Sequence, residues 1–399
     1  MKNNIFAGFT KKILPIVGTI FIALAAVSCD QNPIFYNISN EVKPKNPKIA
    51  GAPSKFVEFD DTLYVARRYI YSYGDGSGSG NATTWEKIAN QPDGYVVDIA
   101  ATTAGVKTFY ALTIEPYKLF RTTDFVTWEE VSNTTSYPEI QGIHGTGNFL
   151  FAGGSRGSGT KGEKYAILCE DPTNITGLVS LLEELSENGR LTSVVESNVG
   201  AGFFYFATSR NGIYAVDRAA TAGGIKTNFG SARNTYLDYV TGMILEETGN
   251  NILVVTSSGK ICTFAADGTV NLSGPHVNDS NIRFNGALSI AKTNNKTNRS
   301  LMIGYESRTD SYSFGYREIH LNNNGSFGGI GLNVPGSFDG SSIPYSNTSQ
   351  AEYNSSLGKH IVQSIIQTPD TIDSNMTLFA STYKEGLWSY RNGEWNAEE

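Results

Sequence analysis

Four histidines are the first residues to consider, because imidazole nitrogens bind metals and transfer protons near neutral pH. Metal sites place such ligands a few residues apart on one element, or bring matched pairs together. In this chain the four fall in separate stretches with no metal-type spacing. We therefore expect hydrogen-bonded or exposed histidines and no metal site at His144, His276, His320 and His360.

Adjacent carboxylates are the second candidate, because paired acids can serve as general acid and general base. In a β-strand, however, neighbouring side chains point to opposite faces, so adjacent acids make a poor shared site. The chain also has no Gly-x-Ser-x-Gly or His-Glu-x-x-His motif and no phosphate-binding loop. We expect solvated turn or edge charges and no catalysis from Asp60-Asp61, Glu129-Glu130, Glu183-Glu184 and Glu246-Glu247.

The segment Thr122–Trp128 resembles a degenerate Asp-box, the turn motif of sialidase-like propellers and of several propellers that are not enzymes. The glycine that the family places two residues after the aspartate is Val126 here. A sialidase would also need an arginine cluster for the substrate carboxylate and a Tyr-Glu nucleophile pair. A sialidase-like carbohydrate-active enzyme therefore stays an alternative function, and spacing cannot assign its arginines among Arg67, Arg68, Arg121, Arg210, Arg283 and Arg317.

The N-terminus has the pattern of a secretory signal, with lysines before an acid-free apolar stretch, Ile13–Val27. At about 15 residues this stretch is shorter than the roughly 20 residues of a permanent membrane span. Its end, Ala26–Cys29, resembles a bacterial lipobox, which implies diacylglycerol attachment to the Cys29 sulfur and cleavage after Ser28. The other interpretation is a soluble secreted protein in which Cys29 merely lies near the cleavage site.

These features predict three parts: a signal peptide over residues 1–28, a lipidated tether over 29–53 and a single β-propeller domain over 54–399. The tether is polar and proline-rich, which suits an extended spacer. Attached acyl chains would hold the mature protein stably on a membrane surface. The covalent lipid on Cys29 is the only non-protein group that we expect, with no cofactor besides.

The segment Cys29–Val42, followed by Pro47–Gly51, resembles the opening of a family of treponemal (spirochaetal) lipoproteins of uncharacterised function. The resemblance covers only this N-terminal part, although the remainder is similar in style to the family. It implies a spirochaetal cell envelope and supplies no catalytic residues. We expect a lipid-anchored protein of the outer membrane, with the periplasmic and the outward-facing orientation both open.

Composition restricts the partners and the redox chemistry. The formal charge is −7, and removing residues 1–28 takes away three lysines and no acids, which moves it to −10. Such a surface repels nucleic acid and anionic lipid headgroups, so we expect no sequence-independent nucleic-acid binding. The expected partner is a protein or a carbohydrate. A disulfide needs Cα atoms within about 7 Å. Because Cys169 and Cys262 fall on different repeats, we expect two buried small residues rather than a bridge.

The elements that must position these residues repeat seven times, as a short apolar run that ends in a small residue or valine. Counted between the last residues of the runs, the intervals are 45, 41, 55, 48, 49 and 76 residues, and all but the last suit a four-stranded propeller blade. This predicts an all-β propeller, most simply with seven blades, although six or eight are possible. The runs are Leu63–Ala66, Phe109–Ala111, Leu150–Ala152, Tyr205–Ala207, Leu253–Val255, Met302–Gly304 and Leu378–Ala380.

Three local predictions complete the expected architecture. Apolar residues at helical spacing favour a short amphipathic helix over Leu178–Leu185. The long last interval holds an Asn-, Gly- and Ser-rich insertion, Asn322–Gly358, rather than an eighth blade. A strand near Phe56 should pair with the C-terminal blade, because the termini must meet to close a ring. Trp85 and Trp128, on equivalent outer strands, should pack between neighbouring blades.

The expected function is a binding or scaffolding module, since a closed ring offers two loop-lined faces and few free strand edges. A periplasm-facing outer-membrane assembly factor and an outward-facing adhesin are both compatible with it. A calcium ion in the turn Asn278–Asn281 also stays open. Aromatic residues in exposed loops are candidate anchors for a partner, namely Tyr73, Tyr117, Tyr345 and Tyr383.

Overall fold

A computed structural model describes the chain from residue 48 onward with gaps. The described residues are 48–74, 84–132, 137–159, 162–172, 177–185, 190–200, 202–209, 212–218, 239–246, 250–278, 282–292, 299–307, 315–321, 337–338, 341–342, 357, 360–391 and 394–398. They belong to one compact unit, Asn46–Glu399. The signal peptide, Cys29, Arg210, Asp279–Asn281 and Tyr345 lie outside the described residues.

Antiparallel sheets follow one another along the chain, each built from consecutive strands. Blade 1 comprises β1 (Val57–Phe59), β2 (Thr62–Arg67), β3 (Tyr69–Tyr73) and β4 (Trp85–Lys87). Blade 2 comprises β5 (Tyr95–Thr102), β6 (Thr108–Ile114), β7 (Lys118–Thr122) and β8 (Glu129–Glu130). Blade 3 comprises β9 (Glu139–Gly145), β10 (Leu150–Gly159), β11 (Gly162–Glu170) and β12 (Val179–Leu185).

The remaining blades continue the same order. Blade 4 comprises β13 (Leu191–Ser197), β14 (Phe203–Thr208) and β15 (Gly212–Asp217). Blade 5 comprises β16 (Val240–Glu246), β17 (Asn251–Thr256), β18 (Lys260–Ala265) and β19 (Ser273–Asn278). Blade 6 comprises β20 (Ile282–Lys292), β21 (Arg299–Ser307) and β22 (Gly315–Leu321). Blade 7 comprises β25 (Val362–Gln367), β26 (Leu378–Thr382), β27 (Leu387–Arg391) and β28 (Glu394–Ala397), after a short hairpin of β23 (Ser337–Phe338) and β24 (Ser341–Ser342).

The predicted repeat is confirmed, because each of the seven apolar runs lies in the second strand of a blade. These strands are β2, β6, β10, β14, β17, β21 and β26. A second strand is covered on both faces by the neighbouring blades, so it reads as a continuous apolar run instead of an alternating one. The fold is therefore an all-β, seven-bladed β-propeller.

Apolar clusters fill the gap between each blade and the next, including the gap between blade 7 and blade 1. Burial of apolar surface thus closes the ring. Trp85 packs between blades 7 and 1 against Phe379, and Trp128 packs between blades 1 and 2 against Phe109. The predicted inter-blade role of both tryptophans is confirmed.

The termini meet as expected, but not through a shared strand. Blade 7 supplies all four of its own strands. The N-terminal segment instead forms an isolated parallel bridge between Gly51 and Glu385, and the Gly386 N–H donates to the Gly51 carbonyl at 2.9 Å. Phe56 contacts blade 7 through its side chain, with ring centroids 6.4 Å from Phe379. The ring is therefore closed by apolar packing between blades 7 and 1 and by the Gly51–Glu385 bridge.

The helix predicted over Leu178–Leu185 is wrong, because this segment is the outer strand β12. It pairs with β11, with Val179 opposite Cys169 and Leu182 opposite Ile167. The pairing has register shifts, which place the adjacent residues Leu181 and Leu182 both in the core. A bulge that breaks strict alternation produces an apolar spacing that imitates a helix face.

In its described part, the insertion predicted within Asn322–Gly358 shows the β23–β24 hairpin and the buried Leu357. The described residues form no eighth blade. No helix in the described ranges is long and apolar enough to cross a membrane.

The loops of a propeller fall on two faces, because all inner strands run along the axis in the same sense. We call the face where the inner strands begin the upper face. The turns between second and third strands also lie there. We call the other face, where the inner strands end, the lower face. The turns between first and second strands, and between third and fourth strands, lie on it.

Candidate functional site

A cleft of about 370 Å³ opens on the lower face of blade 2. Its walls are the turn before β6, the turn between β7 and β8, and Pro172 of blade 3. This volume lies within the range of small-ligand sites in proteins. Its apolar lining comes from Val106 and Pro172, and its polar lining from Thr108, Arg121, Thr122, Thr123, Asp124, Thr127 and Glu129.

Arg121 is the positively charged group of the cleft and connects two blades. Its Nη1 donates to Glu170 Oε1 at 2.7 Å, and its Nε donates to Glu129 Oε2 at 3.2 Å. Glu129 lies directly opposite Arg121 on β8, a cross-strand arrangement that favours opposite charges. Glu170 ends β11 of blade 3 and is completely buried, whereas Glu129 is exposed. The guanidinium is therefore fixed from one side and accessible from the other.

Burial is the main influence on the pKa values of Glu170 and Tyr110. Burial raises the pKa of Glu170, and the positive charge of Arg121 opposes that rise. Burial, and then the nearby charge of Glu170, raise the pKa of the Tyr110 hydroxyl far above its ordinary value. A tyrosine nucleophile needs the opposite shift, toward an accessible phenolate. Tyr110 is therefore a neutral phenol at neutral pH.

The Asp-box-like segment builds the turn beside the cleft. Asp124 Oδ1 accepts hydrogen bonds from the Val126 N–H at 2.8 Å and the Thr127 N–H at 2.9 Å. These bonds lower the pKa of Asp124, so the carboxylate is ionised at neutral pH. Phe125 takes the positive φ of the turn, at 54°, and stacks on Tyr64. The turn-stabilising role of this segment is confirmed.

Val106 lines the cleft and Val126 lies in the turn beside it, whereas the other described lower-face turns expose several aspartates. Val106 is 46% exposed and Val126 is 67% exposed. Among the described residues, these two valines are the large apolar side chains exposed on the lower face. Lys107, beside Val106, pairs with Asp60 at 2.5 Å. The exposed aspartates of the described lower-face turns are Asp60, Asp61, Asp124, Asp217, Asp267 and Asp370.

The upper face has a different character, because its exposed aromatic residues are tyrosines. Tyr117 is the most exposed, at 79%, and Tyr95, Tyr239 and Tyr383 are also exposed. The Arg68 guanidinium lies 4.4 Å from the centre of the Tyr95 ring and donates from Nη2 to its hydroxyl at 3.2 Å. Such cation–π contacts keep an arginine and a tyrosine together at the surface.

The four tyrosines predicted as anchors for a partner have different environments in the structure. Tyr117 and Tyr383 are exposed on the upper face, which confirms their accessibility. Tyr73 is wrong as an anchor, because it is buried between blades 7 and 1, where its hydroxyl donates to Asp373 Oδ2 at 3.3 Å. Its place opposite Trp85 turns the side chain into the core. Tyr345 lies outside the described residues.

The prediction of solvated charges holds for some of the carboxylate pairs and fails for one. Asp60, Asp61, Glu129 and Glu130 are exposed in turns or on an outer strand, as predicted. The prediction of a solvated charge is wrong for Glu246, which is completely buried and pairs with Arg299 of the next blade. Neighbouring blades bring this pair together across a long stretch of chain, a contact that sequence spacing does not reveal. The side chains of Glu183, Glu184 and Glu247 lie outside the described residues.

A polar group near the axis links blades 1, 2 and 3. Lys55 Nζ lies 2.5 Å from Asp98 Oδ1 and donates to the Ile143 carbonyl at 2.5 Å. Asp98 Oδ2 accepts from the Ile143 N–H at 3.0 Å. Burial, and then the Lys55 charge, lower the pKa of the adjacent His144 to about 3, so the imidazole is neutral at physiological pH. These contacts brace three inner strands.

The other candidate residues do not converge on one place. Arg67, Arg68 and Arg283 lie on the upper face, on blades 1 and 6, and Arg121 lies on the lower face. Arg210 and the side chain of Arg317 are outside the described residues. No cluster of three metal-ligating side chains occurs in the part of the chain that the structure describes. The prediction of buried thiols is confirmed, because Cys169 and Cys262 are buried and unbridged on blades 3 and 5.

Comparison with known proteins supports the fold class and goes no further. No protein-family model and no curated protein sequence matches the chain. An ancestral GH74 enzyme is similar in structure with TM-score 0.54 and 15% identity, over 88% of this chain and 47% of that chain. The matched part of this chain thus spans about half the length of the GH74 enzyme.

Two further solved structures are similar. YCF48 from Cyanidioschyzon merolae matches with TM-score 0.48 and 13% identity, over 86% of this chain and 96% of that chain. The WD40 β-propeller domain of Doa1 matches with TM-score 0.48 and 10% identity, over 88% of this chain and 95% of that chain. At 13% and 10% identity these matches identify neither a lineage nor a ligand.

Proposed function

We propose that this chain is a lipid-anchored β-propeller of the bacterial cell envelope, which binds a protein or carbohydrate partner through the cleft of blade 2 and catalyses no reaction. The observation that carries the proposal is the cleft itself, with a fixed arginine at its wall and exposed valines at its rim. Ligand sites combine apolar lining with a few polar groups that fix orientation. The lipobox-like Ala26–Cys29 supports the anchor.

Arg121 suits recognition, because Glu170 holds it in place before a ligand arrives. A donor that is already ordered loses little conformational entropy on binding. Glu129 is exposed and contributes only one longer bond, so a ligand carboxylate or a pair of sugar hydroxyls can replace it at the guanidinium. The threonine hydroxyls around the cleft add further donors and acceptors.

Binding without catalysis is favoured by the state of the titratable groups. Asp124 is ionised and its Oδ1 is engaged in the turn. Glu170 is buried beneath Arg121, and Tyr110 is held as the neutral phenol. An acid–base mechanism needs accessible groups whose pKa values lie near the working pH. The similarity to the GH74 enzyme concerns the fold and gives no support for glycosidase activity.

In-cell photocrosslinking tests the cleft as the binding site. A photoreactive phenylalanine analogue replaces Val126 at the rim, and the matched control places it at Asp267, an exposed lower-face position on blade 5. We expect a discrete adduct from position 126 that weakens when Val106→Lys is added, and none from position 267. Equal adducts at both positions, or an adduct unaffected by Val106→Lys, would refute the cleft. Probing a glycan array with the purified protein separates a carbohydrate partner from a protein partner.

Protease accessibility distinguishes the two envelope orientations. Digestion of the protein on intact cells, with a periplasmic control protein left intact, would indicate an outward-facing binding protein. Protection until lysis would favour a periplasm-facing role such as envelope assembly.

A further inference from the structure

The chain joins the ring at the upper face. Lys48, the first described residue, donates its N–H to the Glu398 carbonyl at 3.0 Å, and Glu398 in turn donates to the carbonyl of Leu387 at the start of β27. Gly51 bridges to Glu385 in the turn between β26 and β27. Both contacts lie at the end of blade 7 that belongs to the upper face. Any anchor that precedes Lys48 is therefore connected to this face.

The same face carries the exposed tyrosines of the described chain. Tyr95, Tyr117, Tyr239 and Tyr383 lie at the starts of inner strands or in turns between second and third strands. A tyrosine has an apolar ring and a polar tip, a combination that is enriched at membrane–water interfaces. On the described lower face the exposed large apolar residues are valines instead, at the cleft.

The upper face carries both signs of charge, because Asp93, Glu115 and Glu385 are exposed there beside several cations, whereas the described lower-face turns expose mainly aspartates. Arg68 lies over Tyr95, Lys87 lies 3.3 Å from the centre of the Tyr69 ring, and Lys384 lies beside Tyr383. Long cationic side chains extend their charge toward lipid headgroups while their stems cover apolar surface. Anionic headgroups attract such cations and repel acids. The aspartate-rich lower face is thus the less favourable one to place against a bilayer.

We propose that the upper face rests on the headgroup region of the membrane, with its exposed tyrosines at the interface, so that the lower-face cleft is turned toward the aqueous space. In the cell this arrangement rests on the proposed lipid anchor. Residues 30–47 can extend over about 60 Å at the maximum rise per residue. The tether alone would therefore permit either face to approach the bilayer, and the tyrosines and cations select the upper one.

Depth-dependent quenching on vesicles tests the orientation. The chain from Cys29 onward, unlipidated, is coupled through the Cys29 thiol to a maleimide lipid in vesicles of phosphatidylethanolamine and phosphatidylglycerol. Burial raises the pKa of the Cys169 and Cys262 thiols, which directs coupling to Cys29. A coumarin amino acid replaces Tyr117 on the upper face or, as the matched control, Val126 on the lower face. The vesicles contain a lipid with a nitroxide on its headgroup.

We expect the probe at 117 to be quenched several-fold more than the probe at 126. Adding Tyr239→Ser and Tyr383→Ser should reduce the quenching at 117. Equal quenching at the two positions would overturn the proposal, and stronger quenching at 126 would indicate the opposite orientation. Because the coupling is artificial, this result is independent of natural acylation, which mass spectrometry of the cellular protein reads separately.

Discussion

Replacing Arg121 with methionine should destabilise the protein strongly, because it removes the charged partner of a completely buried carboxylate. Methionine keeps much of the aliphatic stem but leaves Glu170 unpaired. Breaking a buried ion pair by removing one partner typically costs 3–5 kcal/mol. The Arg121 side chain is 22% exposed, so we expect a cost near the lower end, about 3 kcal/mol. Glu129, whose side chain is 64% exposed, should contribute no more than about 1 kcal/mol.

The pH dependence of this cost has a definite sign. Glu170 has a raised pKa in the folded state, so the protein is stabilised below the ordinary glutamate pKa and loses that stabilisation as pH rises through the raised value. Without Arg121 the pKa of Glu170 rises further. The difference between the wild-type protein and Arg121→Met should therefore be small at acidic pH and largest at neutral pH.

Equilibrium urea unfolding measures these values, with circular dichroism and tryptophan fluorescence compared to check for a single transition. Glu129→Gln is the matched control, since it cuts the exposed bond to the same guanidinium. The double variant Arg121→Met/Glu170→Leu should recover most of the loss, because no unpaired charge remains buried. A cost for Arg121→Met below about 1 kcal/mol, or one equal to that of Glu129→Gln, would refute the reasoning.

Three other predictions concern the ring. Glu246→Gln should lower the free energy of unfolding by about 3–5 kcal/mol, because the buried Arg299 then loses the negative charge of Glu246, and urea unfolding should show this at neutral pH. Gly145→Ala would place a Cβ 1.8 Å from the Ala101 carbonyl oxygen, so it should cost at least about 1–3 kcal/mol and reduce the yield of folded protein; an unchanged urea midpoint would contradict this. His144, with a pKa lowered to about 3 from the ordinary 6.5, should stabilise the fold above its ordinary pKa and lose that contribution as pH falls toward 3. Its imidazole should give the NMR shifts of the neutral ring between those two values, and a charged ring there would disprove the burial argument.

The blades were predictable from the sequence because their second strands are covered on both faces. Such strands must be apolar throughout, so Phe109–Ala111 and its six equivalents recur with the blade period. The outer strand β12 was not predictable, because its register shifts break the alternation on which strand recognition depends. The form of ring closure was also hidden, since the Gly51–Glu385 bridge depends on how the termini meet.

The cleft could be predicted only in part. Cross-strand pairing of Arg121 with Glu129 is implied by the short β7–β8 turn, and the Asp-box-like segment marks that turn. The partner that fixes Arg121 lies 49 residues later, at the end of a strand in the next blade. Both buried inter-blade pairs join an arginine and a glutamate about one blade period apart, in either order: Arg121 precedes Glu170 by 49 residues, and Glu246 precedes Arg299 by 53. Burial of Glu170, and hence the rigidity of the site, depends on tertiary packing.

Mass spectrometry of the protein purified from the membrane fraction of its own cells tests the central claim, that the propeller is held at a membrane by a lipid on Cys29. We predict an N-terminal peptide that begins at Cys29 and carries the added mass of a thioether-linked diacylglycerol. The Cys29→Ser variant should lose the modification and leave the membrane fraction. An N-terminus elsewhere, or an unmodified Cys29 in the membrane-bound protein, would contradict the proposed anchor.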